Sequence, residues 1–235
     1  MTVSAVTCKE VELDYGRGTV IGPLTLDIPA GSCVALVGEN GAGKSSLISM
    51  ILGLRPAKRG TITLFGESGS FPHSRRGIGY LQESVDFPER ATAQDLINLH
   101  SQLVGLEQKL TGPSLEKYLE GFGLKLTQKP IRAYSKGMKQ RLALALSMLD
   151  CGRLLILDEP NSGLDPVGIA VLRAKLGVCK AEGTTILIST HRLAEVMQIA
   201  DSVLVLHKGK VAGNCSMTKF PDFVAFEKYF LDLLK

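Results

Sequence analysis

The run Gly38-Glu39-Asn40-Gly41-Ala42-Gly43-Lys44-Ser45 follows the pattern G-x-x-x-x-G-K-[ST], in which a backbone loop wraps a chain of phosphates. Such a loop needs N–H groups turned inward, no Cβ atoms in the way and a helix N-terminus aimed at the anion. The glycines and a helix beginning near Lys44 supply these. Lys44 is expected to neutralise the β- and γ-phosphates, the Ser45 hydroxyl to ligate Mg²⁺ and Ser46 to sit against the α-phosphate. An apolar strand at 34–37 precedes the loop and an amphipathic helix follows it, which is the setting the motif requires.

A second candidate site is Leu154-Leu155-Ile156-Leu157-Asp158-Glu159, where four aliphatic residues read as a buried strand ending in two acids. Taken alone, a core strand followed by a surface pair of carboxylates explains it equally well. Beside a phosphate loop the pair acquires chemistry. Ligands bind at the carboxyl ends of central strands. Asp158 is then placed to hold the Mg²⁺ shell, and Glu159 to polarise an attacking water as general base.

Elements that could position these groups recur along the chain. Apolar, β-branched segments at Cys33–Val37, 61–65, Ile78–Leu81, 154–157, 185–189 and 203–207 read as strands. Helical patterns at 44–54, 167–181 and Leu193–Ile199 lie between several of them. Alternation of this kind predicts a mostly parallel sheet covered on both faces. The stretch 83–150 differs, because it is helical in period and has no good strand. Thr92 with Asp95 makes a capping box, and Leu96, Leu99, Leu103 and Leu106 follow at helical spacing. This predicts one domain over 1–235, with a core from 1–82 and 151–235 and a helical lobe inserted at 83–150. The spacing of Phe223, Phe226, Phe230 and Leu234 predicts a terminal helix packed on the core.

The run Tyr134-Ser135-Lys136-Gly137-Met138-Lys139-Gln140-Arg141, ahead of the paired acids, resembles the signature sequence of ATP-binding cassette proteins. With it, nearly the whole chain resembles that family, motif by motif and in order. The resemblance implies an α/β fold: a P-loop NTPase core with a mostly parallel sheet, a small antiparallel β part and the inserted α-helical lobe. It implies Tyr15 as the aromatic on adenine, and Gln82 as the glutamine between core and lobe, contacting Mg²⁺. It further implies that the loop Ser162-Gly163-Leu164-Asp165 crosses a dimer interface, and that His191 touches the γ-phosphate. Either residue type has a plainer reading, Tyr15 as packing and His191 as a core or cap histidine.

The family's commonest signature is LSGGQ, and this chain departs from it at Tyr134, Lys136 and Met138. Ser135 and Gly137, at the positions that carry the phosphate contacts in the family, are retained. The YSKGM form resembles a branch of single-cassette subunits associated with export. Asn161 stands where many relatives have threonine. The resemblance implies ATP and Mg²⁺ as cofactors, hydrolysis to ADP and phosphate, and a head-to-tail dimer of two such chains. A membrane-spanning permease is expected to dock near 82–99, with Glu83, Phe87 and Pro88 as contacts. Two other function classes stay open: a cassette ATPase without transport, and a signalling subunit on a membrane complex that moves no solute.

Composition limits the remaining classes. The net charge of +4 comes from scattered basic residues with no dense stripe, so no nucleic-acid partner is expected. Five cysteines, odd in number and without metal spacing, read as small residues in a reducing compartment. No apolar run approaches the roughly 18 residues that span a bilayer, and no secretion signal is apparent. The chain is therefore expected on the cytoplasmic face of a membrane, held there by its partner.

Overall fold

The computed structural model describes residues 3–16, 20–105 and 110–235. In chain order it runs β1 (Ser4–Asp14), β2 (Val20–Pro29), β3 (Cys33–Val37), α1 (Lys44–Ile51), β4 (Arg59–Leu64), β5 (Glu67–Ser68) and β6 (Ile78–Leu81). Then come α2 (Ala93–Val104), α3 (Pro113–Glu120) and α4 (Lys136–Met148), followed by β7 (Leu154–Asp158), α5 (Pro166–Ala181) and β8 (Thr185–Thr190). The chain closes with α6 (Leu193–Ile199), β9 (Ser202–His207), β10 (Lys210–Ser216) and α7 (Phe223–Leu233).

Two sheets form. The larger has the order β10-β9-β3-β8-β7-β6, parallel throughout except for β10, which pairs antiparallel with β9 at one edge. Every residue of β3, β7 and β8 is buried, which is why these strands read as continuous apolar runs rather than alternating ones. Each fully buried aliphatic side chain here contributes about 1.5–3 kcal/mol of transfer free energy. The smaller sheet, β2-β1-β4-β5, is antiparallel. Its strand β2 alternates between covered and open positions, as expected of a sheet with one wet face. Most of the apolar segment at 61–65 belongs to this second sheet as part of β4, within the small antiparallel part expected of the fold.

Between β6 and β7 the chain builds α2, α3 and α4. Thr92 caps α2 with the full capping box to Asp95. On α2 the buried residues include Leu96 and Ile97, whereas Leu99 and Leu103 are exposed, so the leucine spacing marks the helix but not its inward face. Leu106 lies outside the described residues. These helices share a cluster with Leu115, Leu119 and Ile131. Helix α4 connects this cluster to the sheet: Leu142 packs in the lobe, while Ala143 and Leu144 join Leu155 and Leu157. At the C-terminus Phe226 and Phe230 are buried against β9, while Phe223 stays at the surface. All five cysteines are free and buried.

Candidate active site

Parallel pairing sets Val37 opposite Thr190 and Asp158 opposite Ser189, so β3, β8 and β7 end side by side. Everything that follows these three strands meets on one sheet edge. After β3 the chain passes close beneath β9, where a Cβ on Gly38 would run into the Leu206 carbonyl oxygen. Gly43, at φ 107°, is the N-cap of α1 and makes no side-chain cap, which leaves the first N–H groups of the helix for an anion. Lys44 is buried, and its Nζ donates to the carbonyls of Gly38 at 2.8 Å and Glu39 at 3.3 Å. These bonds hold the ammonium over the loop.

Asp158 is 2% exposed and accepts from the Ser189 hydroxyl. Glu159, the next residue, has φ 48°, a left-handed conformation that non-glycine residues seldom adopt. Its N–H donates to Ser189 O at 3.2 Å and to Ser189 Oγ at 3.1 Å. The turn swings the Glu159 carboxylate to 3.9 Å from Lys44 Nζ, with both oxygens 3.0 Å from His191 Nδ1. Acidic charge collects on this edge, as Tyr80 shows: burial and then the Asp158 and Glu83 carboxylates push its phenol up.

A pocket of about 620 Å³ opens over these groups, lined by Tyr15, Ile21, Asn40, Gly41, Gly43, Lys44, Ser45, Ser46, Glu83 and Glu159. Tyr15 stands at its rim, half exposed, with its hydroxyl 2.7 Å from Ser46 Oγ and the Arg55 guanidinium 5.0 Å over its ring. Glu39 and Ala42 frame the loop, the Ala42 N–H donating to Glu39 O at 3.1 Å. Gln82 is not among the lining residues. Its amide donates to the Ser84 carbonyl, and it lines a neighbouring groove instead. Glu83, expected at a permease contact, lines the phosphate pocket.

Three further candidates lie away from this pocket in their own chain. Ser135 caps α4, its Oγ accepting from Met138 N at 3.2 Å. Gly137 packs against the Gly163 carbonyl, 3.3 Å from where a Cβ would stand. Asp165 caps α5 through Gly168 N at 2.8 Å and lies 3.8 Å from Arg141. Asn161 donates to the Glu195 carboxylate, a local role for its polar side chain. Sequence reasoning gave no part to Ser189, which ties both acids to β8, or to Arg55, which covers Tyr15. Neither belongs to a recognisable pattern; only strand register and helix position bring them in.

A phosphate loop on the carboxyl edge of a parallel strand, with a carboxylate pair on a strand of the same edge, defines a P-loop nucleoside triphosphatase. The model of the ABC transporter family matches residues 21–162, and the chain belongs to that family as an ATP-binding, ATP-hydrolysing subunit. The lantibiotic transport ATP-binding protein SrtF of Streptococcus pyogenes is 36% identical over 86% of this chain and 87% of that protein. The bacitracin transport ATP-binding protein BcrA of Enterococcus faecalis is 38% identical over 91% of this chain and 70% of that protein. A solved ATP-binding subunit of an ABC transporter superposes with a TM-score of 0.89 at 30% identity, covering 99% of this chain and all of the other.

Proposed function

We propose that this chain is the motor of an exporter: two copies meet head to tail around two ATP molecules, and their closure drives a separate membrane-spanning permease. The observation that carries the catalytic half is the Glu159 carboxylate, turned by its left-handed backbone toward Lys44 and His191. In this reading Glu159 takes the proton of the attacking water, and His191 orients that carboxylate and contacts the γ-phosphate. Lys44 exchanges its loop carbonyls for the β- and γ-phosphates, and the N–H groups of 38–46 cradle the rest.

Ser45 and Asp158 would hold Mg²⁺, since a hydroxyl and a carboxylate are the hard oxygen donors it accepts together with phosphate and water. Among the described residues no cluster of three His, Cys, Asp or Glu side chains competes for a metal. When bound, the ion supplies Lewis-acid polarisation of phosphate oxygens. Gln82 would leave the Ser84 carbonyl to reach it, which suits a residue at the junction of core and lobe. The lobe's own cluster supports treating 83–150 as a helical lobe inserted into the core 1–82 and 151–235, joined to it through Phe122 and α4.

Ser135 and Gly137 complete the partner chain's site. The Ser135 oxygen accepts within its own helix, so its hydroxyl hydrogen stays available to a phosphate. Asp165, by capping α5, shapes the loop 162–165 that faces the other copy. Tyr15 stacks on adenine. Lys44→Ala is expected to weaken ATP binding most, because it deletes a charge facing two phosphates. Tyr15→Ala should cost about 1–3 kcal/mol, the worth of one stacked base. Calorimetric titration reads both; unchanged affinity in Tyr15→Ala would leave that residue as packing for Ser46 and Arg55.

The permease surface is the groove of about 250 Å³ that Gln82, Val85, Phe87 and Val104 line, beside the exposed Leu99 and Leu103 of α2. No helix among the described residues is long and apolar enough to cross a membrane, so attachment at the cytoplasmic face would come from that partner. Export, and an antibiotic as cargo, are supported by the names of the lantibiotic and bacitracin transport relatives and by the YSKGM form. Purification of the tagged chain from a detergent extract should bring down a stoichiometric multi-span protein, with ATPase activity that rises on adding cargo. Recovery of the chain alone would favour an ATPase uncoupled from transport.

A further inference from the structure

We infer that the chain carries a second ligand site, for a small phosphomonoester, between the end of α1 and the β4–β5 edge of the antiparallel sheet. A cavity of about 390 Å³ lies there, lined by Gly53, Arg55, Thr61, Ser68, Ser70 and Arg75 among others. Its lining includes two arginines and no acidic residue. Among the described residues neither arginine forms an ion pair, and the nearby Glu67 carboxylate is 3.4 Å from His73.

Arg75 is partly buried and held in place. Its guanidinium lies where a Cβ on Gly53 would be, so the glycine is the cradle, and Nη2 donates to the Gly69 carbonyl. Its Nε is buried with no acceptor in the chain. With one N–H on the Gly69 carbonyl and no carboxylate beside it, the Arg75 charge has no counterion among the described residues, and the cavity it lines offers an anion that place. Three hydroxyls, of Thr61, Ser68 and Ser70, share the cavity. Guanidinium groups and hydroxyls together match the many acceptor oxygens of a phosphate better than the two of a carboxylate. The volume falls in the range of small organic ligands and exceeds what a bare ion fills, so the phosphate carries an organic body. Arg55 links this cavity to the rim of the nucleotide pocket, through its position over Tyr15.

The test is calorimetric titration of the whole chain with glucose 6-phosphate, with saturating ADP present to occupy the phosphate loop and with glucose as the uncharged control. A parallel arm measures retention on phosphatidylcholine vesicles with and without phosphatidic acid. Binding should appear with a phosphomonoester and not with glucose. It should weaken by about tenfold or more in Arg75→Gln and in Ser70→Asp, which adds a carboxylate to the lining of the cavity. Ser70 is exposed, so its variant keeps the test valid if Arg75→Gln does not fold. Response to the soluble ester assigns a soluble metabolite, and response to the vesicle alone assigns a lipid headgroup; either supports the site. Absence of binding in both arms, or equal binding by parent and Ser70→Asp, overturns it.

Discussion

Glu159→Gln is expected to leave ATP binding intact and to slow turnover by about a hundredfold or more. The amide has the size of the carboxylate and can still contact His191 through its oxygen, so the 3.0 Å geometry at that ring survives in outline. What disappears is the basicity that takes a proton from water. Lys44, 3.9 Å from the carboxylate, also loses a competing anion and keeps its charge for the phosphates. Binding should therefore hold or tighten while chemistry fails, and the closed dimer should accumulate on ATP. Single-turnover hydrolysis beside an ATP titration separates the two effects. Hydrolysis at the parent rate would remove Glu159 from the role of base.

Gly137→Arg is expected to abolish hydrolysis while ATP still binds. The structure explains why the position is narrow: a Cβ there already stands 3.3 Å from the Gly163 carbonyl, in the turn of α4 that Ser135 caps. In the proposed dimer a long cation at this position would intrude on the space of the partner's γ-phosphate and hold the two chains apart. The phosphate loop of the same chain is untouched. Mixing Gly137→Arg chains with Lys44→Ala chains then gives heterodimers with one composite site doubly defective and the other intact. Activity should return to a fraction of the parent value, because homodimers in the mixture stay inactive. Full activity of Gly137→Arg alone, proportional to concentration down to dilute solution, would sink the shared-site model.

The phosphate loop and the acid pair were legible because each is local. Gly38 to Ser45 encodes its own turn and the helix behind it, and Leu154 to Glu159 encodes a buried strand with its exit, whose acids acquire chemistry once that loop is recognised. The signature at Tyr134 to Arg141 was legible for a different reason, as a resemblance spread along the whole chain. Other features had no local signature. The apolar series predicted β3, β6, β7, β8 and β9 but omitted β1, β2 and β10, whose half-open faces dilute the hydrophobic signal. It also left open which sheet 61–65 joins, since an apolar run does not say which neighbour its N–H groups will find.

Within the site, the choice between adjacent side chains was likewise tertiary. Gln82 and Glu83 differ by one position along an irregular segment, and only its path after β6 turns the carboxylate into the phosphate pocket and the amide onto Ser84. Ser189 reaches Asp158 and Glu159 because β8 lies beside β7 in a register that sets Ser189 opposite Asp158. Arg55 reaches Tyr15 because the end of α1 returns to β1. Sequence by itself determined the backbone shapes that bind phosphate, because those depend on glycine freedom and consecutive residue types. Tertiary structure decided which side chains face the ligand, because strand register and helix position act between residues far apart in the chain.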